Sequence, residues 1–261
     1  MIRSKVDRDL SQFPACFHPF IRDAVVYDSS SSPEAKVWFL DKDGGAYLKC
    51  APKGYLEKEA VMTQFYHRKG LGAQVLVYEQ LDRDWLLTAR IPGEDCTFRQ
   101  YLDDPKQLST LLGQLLRQLH ETDFDGCPVP DRTKAYLQTA KANYRAQRFD
   151  SSLFPDNWGY TSAEEAWQVV QQMGPYLQSD TLIHGDYCLP NVMLDNWRFS
   201  GFIDLGNGGA GDRHIDLFWG LWSLNYNLGT DAWCDRFLDA YGRDRIDRDI
   251  LRSIGAFEVF G

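Results

Sequence analysis

The chain changes its repeat near residue 91, and that change restricts the folds open to it more than any other feature. Up to Arg90 the apolar residues come in short runs: DAVVYD, then KVWFL and AYLKC around the turn DKDGG, then VLVYEQ and WLLTAR around LDRD. Runs of this length, rich in Val, Tyr and Trp and punctuated by Asp and Gly, read as hairpin strands. One helix interrupts them over 54–69, where GYLEKEAVMTQFYHRK is followed by the breakers Gly70 and Gly72. Beyond IPGED at 91–95 the period becomes helical, and Leu108, Leu111, Leu112, Leu115, Leu116 and Leu119 fall on one stripe. Further helical patterns cover 131–147, 162–178, 212–226 and 231–241, with the strand-like TLIHGD and FSGFIDLG between them. The expected class is α+β in two lobes. A small β-rich lobe with one helix spans 1–90, and a larger, mainly helical lobe spans 91–261. A junction of that kind is where a small-molecule cleft is expected.

Charge narrows the partners. The chain holds 37 acidic and 28 basic residues, a formal charge of -9, which suits neither nucleic acid nor an anionic membrane and suits a cationic small molecule well. Six scattered cysteines without a C-x-x-C pair signal neither a zinc site nor a disulfide framework, so they read as free thiols of a reducing cytoplasm. MIRSKVDRDLSQFPACF lacks an apolar signal core, and no run approaches the ~20 apolar residues that span a bilayer.

The chemistry gathers in LIHGDYCLPNVMLDNWRFSGFIDLGNG, residues 182–208. Asp186 follows a strand and precedes a turn containing Pro190, where a rigidly held carboxylate can accept a hydroxyl proton. Asn191 lies five residues on, and Asp204 follows the apolar run FSGFI. Those two supply hard oxygen ligands of the kind Mg²⁺ takes alongside substrate phosphates. Each residue alone reads more simply as an Asx turn or a cap. Their joint spacing, H-x-D-x-x-x-x-N and then D-x-G, is that of kinase-type phosphoryl transfer. Such chemistry calls for a phosphate-binding lysine with an acidic partner. Lys49 in AYLKC meets the first need, and Glu59, a charge on the stripe of Leu56, Met62, Thr63 and Tyr66, meets the second because a buried carboxylate requires a cation. Gly206, Gly208 and Gly211 also spell G-x-G-x-x-G, a dinucleotide fingerprint. Fewer than sixty residues remain after it and they read as helix, so no second strand can carry a ribose-binding acid.

HGDYCLPNVMLD with GFIDLG resembles the aminoglycoside 3'-phosphotransferases, small-molecule kinases built on the protein-kinase-like fold, and the resemblance runs from SSPEAKVWFL to the carboxy terminus. It implies that Asp186 orients or deprotonates the acceptor hydroxyl, that Asn191 and Asp204 hold Mg²⁺, and that Lys49, supported by Glu59, holds the phosphates of ATP or GTP. It implies further that Ser32 lies in the loop covering those phosphates and that the backbone at Ala89 and Ile91 meets the purine. His184 and Asp216 would brace the catalytic loop, while Asp156 and Glu258 would face the ammonium groups of the acceptor. Two departures bear on the acceptor. Asn207 stands where the family has arginine, and AFEVFG stands where it has L-D-E-[FL]-F, with Phe257 in place of an acid. A kinase of another hydroxylated amine and a non-catalytic, pseudokinase-like binding protein are the alternatives. A protein kinase fits poorly, because there is no A-P-E segment and little chain between Gly206 and the helix carrying His214.

Overall fold

The computed structural model describes residues 4–7, 9–31, 33–149 and 159–261. In chain order come β1 (Ser4–Lys5), α1 (His18–Ile21), β2 (Val25–Asp28), β3 (Lys36–Asp41), β4 (Ala46–Pro52), α2 (Glu57–Arg68), β5 (Val75–Gln80), β6 (Arg83–Ala89) and β7 (Glu94–Asp95). There follow α3 (Arg99–Leu102), α4 (Pro105–His120), α5 (Arg132–Arg145), α6 (Ala163–Met173), β8 (Thr181–Ile183), β9 (Val192–Asp195), β10 (Arg198–Phe202), β11 (Gly209–Gly211), α7 (Arg213–Leu228), α8 (Cys234–Tyr241) and α9 (Arg248–Glu258). These elements divide into two compact units, Met1–Asp95 with Val192–Gly206, and Cys96–Asn191 with Asn207–Gly261. The β9–β10 hairpin joins the first unit because β9 pairs with β7 and because the Phe202 amide donates to the Leu71 carbonyl at 2.7 Å.

In the first unit a six-stranded antiparallel sheet runs in the order β1-β2-β3-β4-β6-β5. Alternation along the strands sorts the side chains by face. Trp38 and Leu40, Leu48 and Cys50, Trp85 and Leu87 all join the core cluster that Phe13, Phe17 and Ile21 cover. Trp38 and Trp85 stack there at 6.0 Å. Ala51 and Leu86, of the opposite parity, pack instead with Leu56 and Ala60 at the start of α2. Lys49 has that second parity, so its position in the strand directs it toward α2. The first turn of α2 is tied to the sheet by Asp84, a fully buried residue whose carboxylate accepts the Leu56 amide at 2.9 Å. Burial pushes this carboxyl's pKa upward, but the amides of Gly54 and Leu56 outweigh it and hold the group below its ordinary value.

In the second unit α4 starts at Pro105, with Asp104 as its cap accepting the Gln107 amide at 2.9 Å. Of the expected leucine stripe, Leu108, Leu112, Leu115, Leu116 and Leu119 are buried and Leu111 is half-buried. Gly113 lets α4 meet α8 closely, since a Cβ there would lie 2.4 Å from the Phe237 carbonyl oxygen. Two helical expectations change. The pattern over 162–178 ends as α-helix at Met173 and continues as a 3₁₀ turn over Gly174–Tyr176, because Pro175 cannot extend the α-helix. Helix α9 lies beyond the last helix expected, capped by Asp247, which accepts the amides of Asp249 and Ile250. Its Ile254 and Phe257 fill the core with Tyr136, Val170 and Ile215.

Among the described residues no disulfide joins the six cysteines, and no helix is long and apolar enough to cross a membrane.

Candidate active site

The loop after β8 is fixed from beneath by one carboxylate. Asp216, fully buried on α7, accepts the amide of His184 at 2.7 Å through Oδ2 and the amide of Gly185 at 2.7 Å through Oδ1. His120, from the end of α4, approaches the same Oδ2 at 3.1 Å through Nε2, and its Nδ1 lies 2.8 Å from the Tyr241 hydroxyl. A carboxylate only accepts, so Nε2 carries the proton and Nδ1 accepts from tyrosine. Burial holds the His120 pKa below its ordinary value, which keeps the ring neutral. Gly185 adopts φ +80°, and a Cβ there would lie 2.0 Å from the Asn207 carbonyl oxygen, so the chain can pass only as glycine.

Asp186 comes next, half-buried. Asn191 donates through Nδ2 to the Asp186 carbonyl and to its Oδ2, both at 2.9 Å, so the two residues that the sequence spaces five apart share one turn. The Cys188 thiol reaches Asp186 Oδ1 at 3.1 Å. Burial, with Asp186 alongside, pushes that thiol far above its usual range, so it stays protonated and donates. Both carboxylate oxygens therefore have a neutral donor that sets their direction without removing their charge. Among the described residues the Asn191 side-chain carbonyl takes no hydrogen bond.

In the first unit Lys49, Glu59 and Asp204 come together. Lys49 Nζ lies 2.6 Å from Glu59 Oε1 and 3.1 Å from Asp204 Oδ1. The Glu59 side chain is 11% exposed and that of Asp204 56%. Burial disfavours the lysine charge, but two flanking carboxylates outweigh it and hold Lys49 well above its ordinary range. One cation shared between two acids does not offset the burial of Glu59, whose pKa is raised. Asp204 stands past the end of β10 at φ +60°, a left-handed backbone that aspartate tolerates better than most side chains. Asp204 Oδ2 takes no bond among the described residues.

Of the remaining expected positions, Ala89 and Ile91 belong to the first unit and Glu258 to the second. Ala89 ends β6 with its amide on the Gln74 carbonyl, and Ile91 is buried against Ala73 and Met193. Ser32 and Asp156 lie outside the described residues. Glu258, at the end of α9, receives the Tyr136 hydroxyl at 2.6 Å and the Trp219 indole N–H at 3.1 Å, both on Oε1. Burial pushes its carboxyl up to about 7. Asn207, where the resemblance leads one to expect arginine, is bonded by Arg132 from the first turn of α5.

Sequence reading did not single out Asp84, His120, Cys188 or Arg132. Cys188 lies inside the motif of residues 182–208, and only its distance to Asp186 reveals it. The others act across long stretches of chain, where no local pattern marks them. Among the described residues no cluster of three or more His, Cys, Asp or Glu is placed to hold a metal. Asn191, in the second unit, and Asp204, in the first, each carry a hard oxygen of the kind Mg²⁺ takes alongside phosphates.

A family model described as the phosphotransferase enzyme family matches residues 28–253. A probable aminoglycoside 3'-phosphotransferase of Lactococcus lactis is 49% identical over 255 residues, 97% of each chain. The aminoglycoside 3'-phosphotransferase of Streptomyces fradiae is 28% identical over 253 residues, 91% of each chain. Among solved structures, an aminoglycoside phosphotransferase from Streptomyces rimosus, in complex with ADP and streptomycin, aligns with a TM-score of 0.74 at 22% identity. The alignment covers 97% of this chain and 99% of that one. That likeness establishes the kinase-like α+β fold. With a family model spanning most of its length and a relative sharing nearly half its residues end to end, the chain belongs to the phosphotransferase enzyme family, among the aminoglycoside 3'-phosphotransferases.

Proposed function

We propose that the chain is an antibiotic-modifying kinase of the cytoplasm, which transfers the γ-phosphate of ATP or GTP to the 3' hydroxyl of an aminoglycoside and so confers resistance. The observation that carries the reading is the Asp186 carboxylate, aimed by Asn191 and Cys188 on a loop whose preceding amides are both held by Asp216. A carboxylate so oriented can accept the acceptor's hydroxyl proton as the oxygen attacks phosphorus, and fixing its direction removes much of the entropy cost of the encounter. His184 and Asp216 keep the loop in place.

Residues 1–90 serve the nucleotide in this reading, and 91–261 carry the catalytic loop and the acceptor site. Lys49, anchored by Glu59, binds the phosphates. Ser32 would cover them, and the backbone at Ala89 and Ile91 would meet the purine. Asn191 and Asp204 each keep an uncommitted oxygen, and they would hold Mg²⁺ with phosphate and water oxygens completing its shell. Bound Mg²⁺ supplies neutralisation of the charge on the transferring phosphates. Asp156 and Glu258 would face the acceptor's ammonium groups, in keeping with the net charge of -9.

The test is mass spectrometry of kanamycin after incubation with enzyme, Mg²⁺ and each nucleotide, followed by NMR assignment of the phosphorylated hydroxyl. Addition of one phosphoryl group at the 3' position supports the reading. Transfer only to other hydroxylated amines would move the acceptor class. No transfer to any acceptor would leave a binding protein.

A further inference from the structure

Asn207 is where an otherwise separate side chain enters the catalytic loop's support. Its carbonyl oxygen occupies the space a side chain at Gly185 would need, 2.0 Å from the Cβ position there. The Gly185 peptide is thus confined on both sides: its amide is bonded to Asp216 Oδ1 at 2.7 Å, and its Cα rests on Asn207. The next residue is Asp186. Asn207 is itself held from α5, where Arg132 Nε donates to the Asn207 carbonyl at 2.9 Å and Nη2 to the Asn207 Oδ1 at 3.4 Å.

The arginine is not free to drift. Its Cβ lies 3.0 Å from the position a Cβ on Gly209 would take and 3.4 Å from that on Gly211, so β11 is packed under the side chain's stem. Its guanidinium stands 5.8 Å above the Tyr136 ring. The Tyr136 hydroxyl bonds Glu258 at 2.6 Å. A planar fork with two donors directed at one residue fixes orientation as well as distance, which a lysine ammonium cannot do.

We propose that Arg132 is a positioning residue for phosphoryl transfer, clamping Asn207 against Gly185 so that the Asp186 carboxylate keeps its direction. The proposal rests on the reading of Asp186 as the group that handles the acceptor's proton. Among the described residues the Arg132 hydrogen bonds go to Asn207 and to none of the residues assigned to the nucleotide. Arg132→Ala therefore lowers kcat while leaving the KM for nucleotide unchanged, and a displacement of the order of 1 Å at the base is worth roughly 10- to 100-fold. Asn207→Ala loses less, because the 2.9 Å bond goes to a main-chain oxygen that alanine retains. Added guanidinium at millimolar concentration restores part of the turnover of Arg132→Ala and leaves the parent unaffected.

Steady-state kinetics of Arg132→Ala, Arg132→Lys, Asn207→Ala and Asp186→Asn, with thermal midpoints, test this. Turnover of folded Arg132→Ala within about twofold of the parent, a loss confined to nucleotide KM, or the absence of guanidinium rescue overturns the proposal. If Arg132→Ala does not fold, Arg132→Lys decides, and parental turnover in that variant overturns it equally. Asp186→Asn separates the two claims. An active Asp186→Asn removes the assignment of Asp186 and this proposal with it, whereas an inactive Asp186→Asn beside a fully active Arg132→Ala removes this proposal alone.

Discussion

Glu258→Gln is expected to stabilise the protein, and only above mildly acidic pH. Burial raises the carboxyl of Glu258 from 4.5 to about 7. Below the lower value the group is protonated in folded and unfolded chains alike and contributes nothing to the pH dependence. Between the two values the unfolded chain gives up its proton while the folded chain retains it, so stability falls as pH rises. Above about 7 the penalty is complete. At about 1.4 kcal/mol for each pH unit, it reaches about 3 kcal/mol. Glutamine keeps the Oε1 that accepts the Tyr136 hydroxyl and the Trp219 indole, and it carries no charge to desolvate. The variant and parent should therefore melt together near pH 4, and the variant should melt higher by roughly 6–12 °C near pH 8. Scanning calorimetry of both proteins across that range reads the difference directly, and titrations common to the two cancel. A gap that stays constant from acid to alkaline pH, or one that favours the parent when alkaline, would refute the reasoning.

Asp186→Ala should lower kcat by roughly 10²- to 10⁴-fold in the kinase assay with the fold intact; near-parental turnover would remove its role. Lys49→Met should raise the KM for nucleotide and, by leaving Glu59 buried without its cation, lower stability by a few kcal/mol in denaturant titration. The double variant Lys49→Met with Glu59→Met should recover the stability and none of the activity. Gly113→Ala should cost roughly 1–3 kcal/mol, because its methyl would meet the Phe237 carbonyl oxygen at 2.4 Å and push α4 from α8. An unchanged denaturation midpoint would show that the two helices separate freely.

What the amino-acid order determined by itself was everything with a short period. Strand parity assigned Lys49 to the face opposite Leu48 and Cys50, helical spacing put Glu59 on the inner stripe of α2, and the five-residue step from Asp186 to Asn191 closed a single turn. Helix α9 carries a well-marked apolar stripe on its buried face, and it lies past residue 241, where the helical patterns drawn from the sequence stop. Tertiary structure alone decided which distant groups meet. It joined Asp84 to Leu56, His120 to Asp216, Arg132 to Asn207 and Tyr136 to Glu258, across 28, 96, 75 and 122 residues respectively. Backbone sterics repeat every two or 3.6 residues and leave a mark in the order of side chains. Contacts between remote segments arise where buried surfaces come to fit, and no local repeat records them.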